Sequence, residues 1–152
     1  MNKNAKFNTE AKDNIDQLTN DKEAQILSNL WILMVAKHKY SYNFSSLGRP
    51  IIQFPQDMVA MQELIWQVKP DLIIETGIAH GGSLIMSASM LALLDYCDAV
   101  KSAKTLDPSM PKRKVLGLDI DIRKHNRTAI ETHPMAQRIE MIEGNSIATE
   151  II

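Results

Sequence analysis

The five residues Asp71-Leu72-Ile73-Ile74-Glu75 form a short apolar run that passes directly into a glycine-bearing turn, Thr76 to Gly82. A strongly apolar helical stretch follows, from Ser83 to about Asp95. A run this short and this apolar is expected of a strand buried on both faces. Val115 to Ile120 is a second apolar strand, Arg123 to about Thr132 a polar helix, and Arg138 to Ile142 a third strand followed by Glu143-Gly144-Asn145-Ser146. The last six residues look like the first turn of another helix. This alternation predicts an α/β fold built on a parallel sheet of about three strands.

The chain ahead of that sheet reads differently. Met1 to about Asn20 is rich in Asn, Lys, Asp and Thr and is expected to fray, or to become helical only when docked. Lys22 to about His38 carries Ile26, Leu30, Leu33 and Met34 at helical spacing, with Asn20 or Asp21 as cap. Tyr40 to Pro55 is read as a connecting loop. Gln56 to Val68 is read as a helix burying Val59, Leu64, Ile65 and Val68, ended by Lys69-Pro70. Tyr96 to Lys112 is an irregular connection with two prolines. The organisation expected is a polar segment over 1–20, a helical region over 21–70 and a cofactor-type domain over 71–152.

Composition removes several classes. A net charge of -1 argues against nucleic-acid binding. No run of about 18 apolar residues suggests a membrane span. Met1 to Asp21 resembles neither a secretory signal nor a transit peptide, so the cytoplasm is the expected location. The single cysteine, Cys97, reads as a half-buried thiol near a helix end. His38, His125 and His133 read as surface residues. Met58, Met61, Met86 and Met90 read as core filler, and Lys112-Arg113-Lys114 as a solvated edge.

A parallel α/β sheet binds ligands outside the carboxyl ends of its strands. Three such ends are visible, at Glu75 to Ser83, Asp119 to Asp121 and Gly144 to Ser146, and each carries a polar or glycine-rich cluster. Gly77, Gly81 and Gly82 allow a sharp turn and close approach of a ligand. Ser83 and the first helical amides offer donors to an anion such as a carboxylate. An acid ending the second strand can accept from both ribose hydroxyls. These features fit an adenosine-type cofactor in general. Two details disfavour a dinucleotide. The nicotinamide fingerprint places its acid about 20 residues on, whereas Asp119 follows Gly77 by 42 positions (119 − 77). Glu75, just ahead of the first glycine, would repel a pyrophosphate but attract an ammonium.

From about Ser41 onward the residues resemble the cephalosporin hydroxylase/rhamnosyl O-methyltransferase family of class I S-adenosylmethionine-dependent methyltransferases. The resemblance is carried by Leu47-Gly48-Arg49-Pro50, Pro55-x-Asp57, Gln62-Glu63, the string Pro70 to Ser83, and Gly117-Leu118-Asp119-Ile120-Asp121. Its most specific part is Glu75-Thr76-Gly77-x-x-x-Gly81-Gly82-Ser83. The resemblance implies a Rossmann-like class I methyltransferase fold, with its N-terminal half in this chain. It implies an S-adenosylmethionine cradle at Glu75, Gly77, Ala79, His80, Gly81 and Ser83. Asp119 would take the ribose, with Asp121 close by, and Asn145 and Ser146 would lie near the adenine edge, where an asparagine can hydrogen-bond the exocyclic amine.

The activity implied is O-methyl transfer to a small-molecule or sugar hydroxyl. A divalent metal, Mg, is implied for the complete family domain, with no ligands for it assignable here, and no catalytic base is assigned. The expectation is therefore of a C-terminally truncated chain whose first sheet strand has an unpaired edge. The alternatives are a nicotinamide-dependent oxidoreductase fragment and a non-catalytic binding or assembly domain. The N-terminal helices could also pack between subunits of a homo-oligomer.

Overall fold

The computed structural model describes residues 3–148. The helical turn expected over the last six residues falls, from residue 149 on, outside them. The chain divides into two compact units, Met1–Tyr40 and Ser41–Ile152. The region read as 21–70 is thus shared between them.

The first unit is a pair of helices, α1 (Lys3–Asn20) and α2 (Lys22–Ala36). The segment expected to fray is helical. It contains no proline or glycine, and Lys6 and Glu10 pair at 3.6 Å one turn apart. Asp21 supplies the cap of α2, its Oδ1 accepting the Glu23 and Ala24 amides at 3.0 Å each. Ile26, Leu30, Leu33 and Met34 do recur on α2, but each is more than half exposed and no residue of the helix is buried. Trp31 meets Tyr40 edge-to-face, with ring centroids 5.5 Å apart.

The second unit opens with a feature the sequence reading missed. Residues read as a loop form a hairpin of β1 (Phe44–Ser46) and β2 (Arg49–Ile51), paired antiparallel with Ser46 opposite Arg49. The two-residue turn, Leu47-Gly48, has positive φ at both positions, +47° and +84°, as a turn matched to strand twist requires. A leucine in that region is strained by about 1–2 kcal/mol, and asparagine tolerates it better. Leu47→Asn is therefore expected to stabilise the unit by about 1 kcal/mol, read as a higher urea midpoint.

Pro55 begins α3 (Pro55–Val68), a position where its missing N–H costs nothing. Lys69, left-handed at φ +52°, ends the helix ahead of Pro70. Of the four residues expected to be buried only Ile65 is; Val59, Leu64 and Val68 are exposed. The contact stripe runs instead through Met61 and Ile65, one turn apart.

The sheet is parallel with order β3-β4-β5: β3 (Leu72–Thr76), β4 (Lys114–Asp119) and β5 (Ile139–Glu143). Register aligns Ile73 with Val115 and Val115 with Ile139, and all three pack into the core. The helices α4 (Gly82–Ser102) and α5 (Lys124–Glu131) fill that core with Leu84, Ile85, Ala88, Leu91 and Ile130, each 0% exposed. β3 is not buried on both faces as expected. It pairs only with β4 among the described residues, and Leu72 and Ile74 are 50% and 61% exposed.

α4 runs past Asp95 to Ser102 because no proline or glycine interrupts it. By length and composition it could span a bilayer, but its apolar face is the core of this unit. Cys97 lies within it, half-buried. Arg113, read as part of a solvated run, is largely buried. It donates to Asp95 at 2.5 Å and Asp98 at 2.8 Å. Arg138 donates to the other oxygen of Asp95 at 2.6 Å. Burial works to raise the Asp95 pKa, but the two guanidiniums outweigh it and hold the carboxyl below its usual value.

Candidate functional site

The turn between β3 and α4 is fixed by groups far away in sequence. Gly77 extends the sheet ladder, its N–H donating to the Leu118 carbonyl at 2.7 Å. Ala79 then adopts a left-handed conformation at φ +46°, a costly geometry for a residue with a Cβ. Three side chains hold it there. Asn126 of α5 donates to the Ala79 carbonyl at 2.7 Å. Arg49 of β2 donates to the His80 carbonyl at 2.6 and 3.1 Å, and reaches Asn126 Oδ1 at 3.2 Å. Asp119, at the end of β4, accepts the Ile78 amide at 2.7 Å and the Ala79 amide at 3.4 Å.

The glycines answer to sterics. Gly81 has φ +80°, and a Cβ there would come within 2.3 Å of Ile130. At Gly82 a Cβ would stand 2.2 Å from the Pro50 carbonyl oxygen. The hairpin therefore seats directly on the first turn of α4. Gly81, the cap residue of α4, has no side chain to cap it, so the first amides of the helix have no partner from their own cap position.

A cavity of about 280 Å³ opens at this turn, lined by Glu75, Gly77, Ala79, His80, Gly81 and Ser83 together with Pro50, Ile52, Gln53 and Met61. All six residues expected to form the cradle at the first strand end thus share one cavity. Ser83 Oγ donates to Glu75 Oε1, so the hydroxyl serves the carboxylate. Burial raises the Glu75 pKa, and the Ser83 hydrogen bond offsets only part of that rise.

Asp119 is outside that lining but touches its rim through Ile78 and Ala79. Burial works to raise its pKa, yet the amides of Asp121, Ile78, Ala79 and Ile120 prevail and hold it below the ordinary value. Asp121 donates its amide to Asp119 Oδ1 at 3.2 Å. Asn145 and Ser146 follow β5, the neighbour of β4, and do not line the cavity. Asn145 Oδ1 accepts the Ile147 amide at 3.2 Å, closing a local turn.

Several residues take roles the sequence reading did not give them. Arg49, Asn126 and Gln53 belong to the site region; Arg49 lay within a family string, while Asn126 and Gln53 had no pattern around them. His133, read as a surface residue, is half-buried. Its Nδ1 accepts the Met135 amide at 3.1 Å, which leaves Nε2–H to meet the Leu47 carbonyl at 3.0 Å. Met86 is buried in the core and Met61 and Met90 pack against it, while Met58, Met86 and Met90 also line a second cavity of about 690 Å³ between the hairpin, α3 and α4. That larger space contains none of the strand-end residues.

Among the described residues no group of three His, Cys, Asp or Glu side chains could hold a metal ion. The side chains present do not fit one. Glu75 lines the cavity as an acid, the first turn of α4 borders it, and the Asp119 carboxylate ties the amides of Ile78 and Ala79 at its rim.

No curated protein and no solved structure matches the chain. The sequence model of the rhamnosyl O-methyltransferase/CmcI family matches residues 38–152, which take in the hairpin, the β3–α4 turn and all three strand ends. A match over more than half of its length means that the chain belongs to the rhamnosyl O-methyltransferase/CmcI family, a family of O-methyltransferases.

Proposed function

We propose that this chain binds S-adenosylmethionine at the β3–α4 turn and serves methyl transfer to a hydroxyl of a small molecule or sugar. The observation that carries the reading is the convergence of Glu75, Gly77, Ala79, His80, Gly81 and Ser83 on one cavity at the start of a long helix. When bound, S-adenosylmethionine supplies a methyl group activated by its sulfonium. The chain's own residues bind and orient. Glu75 attracts the ammonium, and the first amides of α4 receive the carboxylate. Asp119 keeps the turn in its strained shape while accepting from the ribose hydroxyls. Asn145 and Ser146, near the neighbouring strand end, border the adenine. Alignment in a partly desolvated cleft is the contribution such a site makes to a displacement reaction.

Equilibrium dialysis with tritiated S-adenosylmethionine tests this reading. Saturable binding that excess nicotinamide dinucleotide does not displace is expected. Displacement by the dinucleotide, or no binding, would contradict it. Attraction of the ammonium requires ionised Glu75, whose pKa is raised. Affinity is therefore expected to fall on acidification through that raised value, at a higher pH than for an ordinary glutamate. Glu75→Gln is expected to bind weakly and without that pH dependence.

A further inference from the structure

Gln53 is the side chain of this cavity with an unmet requirement. Its Oε1 is buried and has no hydrogen-bond partner among the described residues. A buried acceptor left without a donor is unfavourable and calls for an explanation. Its backbone is held on both sides, by Ile51 at 2% exposure in the hairpin and by Pro55 at the start of α3. Gln53 thus lines the cavity from a backbone anchored at both ends, with its Oε1 beneath the cavity wall.

We infer that Gln53 contacts the ligand, its Oε1 and the Glu75 carboxylate together receiving the ammonium of the ligand's amino-acid end. This rests on the cofactor reading above. An ammonium carries three donors, and one oxygen of Glu75 already accepts from Ser83. A second acceptor is therefore needed in the same cavity. A neutral amide supplies it without the repulsion a second carboxylate would exert on Glu75, whose ionisation burial already opposes. Glu75 contributes charge, and Gln53 contributes direction. The pair makes the cavity selective for ligands that keep their amino-acid end.

Calorimetric titration of the full chain with S-adenosylhomocysteine, and with methylthioadenosine, which lacks the amino-acid end, separates the two readings. Gln53→Met removes the acceptor at nearly constant volume. It is expected to weaken S-adenosylhomocysteine by about tenfold or more and to leave methylthioadenosine unchanged. The Tm of the ligand-free variant is expected to hold or rise, because an unsatisfied buried atom has been removed. If the unaltered chain binds S-adenosylhomocysteine and Gln53→Met binds it equally well, or weakens both ligands alike, the role of Gln53 is overturned while the cofactor reading stands. If the unaltered chain binds neither ligand, the cofactor reading falls and the role of Gln53 with it.

Discussion

Arg138→Ala is expected to destabilise the second unit by about 3–5 kcal/mol, the cost of breaking a buried ion pair by removing one partner. Arg138 is 5% exposed and Asp95 3%. The guanidinium donates to Asp95 Oδ2 at 2.6 Å and to the Arg113 carbonyl at 3.0 Å. It therefore joins the start of β5 to the middle of α4 and the chain entering β4. Without it, Asp95 keeps Arg113 but has a buried oxygen with no donor. Urea unfolding reads the loss directly. Acid acts on the same cluster. Because the folded pKa of Asp95 lies below its unfolded value, its contribution is present above the ordinary aspartate range and is lost as pH falls through the folded value. Replacing Asp95, Arg113 and Arg138 together with apolar residues of similar volume is expected to cost less than Arg138→Ala alone.

Gly82→Ala is expected to cost about 3 kcal/mol or more, the upper end for overpacking. The added Cβ would stand 2.2 Å from the Pro50 carbonyl oxygen and 2.7 Å from Ile51 Cβ. One neighbour is backbone, and the other is a side chain at 2% exposure, so neither yields easily. The hairpin would lift from α4, and Arg49 would move with it, away from the His80 carbonyl it holds. The strained turn at Ala79 would lose one of its three restraints. Gly82→Ala is therefore expected to weaken S-adenosylhomocysteine binding by about tenfold or more as well as to lower Tm. A Tm unchanged within a degree would mean that the hairpin does not seat on α4 as described.

What could be read in advance followed local pattern. The run at Asp71–Glu75, the glycines after it and the apolar stretch from Ser83 specify strand, turn and helix within one short window. Two later apolar runs completed a parallel sheet, so the strand ends and their polar residues were in place. What could not be read depended on partners far away in sequence. β1 and β2 are three residues each, too short for alternation to register, and Leu47-Gly48 lacks the Asn or Asp that usually announces such a turn. Arg113 sits among lysines and looks solvated until β4 is laid beside Asp95 of α4. Asn126 and Gln53 are single polar residues in unremarkable segments; only the folded chain brings one to the Ala79 carbonyl and the other into the cavity. The unpaired edge of β3 was expected from the sequence, but the exposure of Leu72 and Ile74, which face away from the core beside that edge, contradicts the reading of a strand buried on both faces.

Hydrogen exchange of the chain with and without S-adenosylhomocysteine tests the central claim most directly. If the ligand lies at the β3–α4 turn, protection is expected to concentrate in residues 75–84 and 119–121, while α2 exchanges as before. Protection confined to the larger cavity between the hairpin, α3 and α4, or no change in residues 75–84 at saturating ligand, would contradict it.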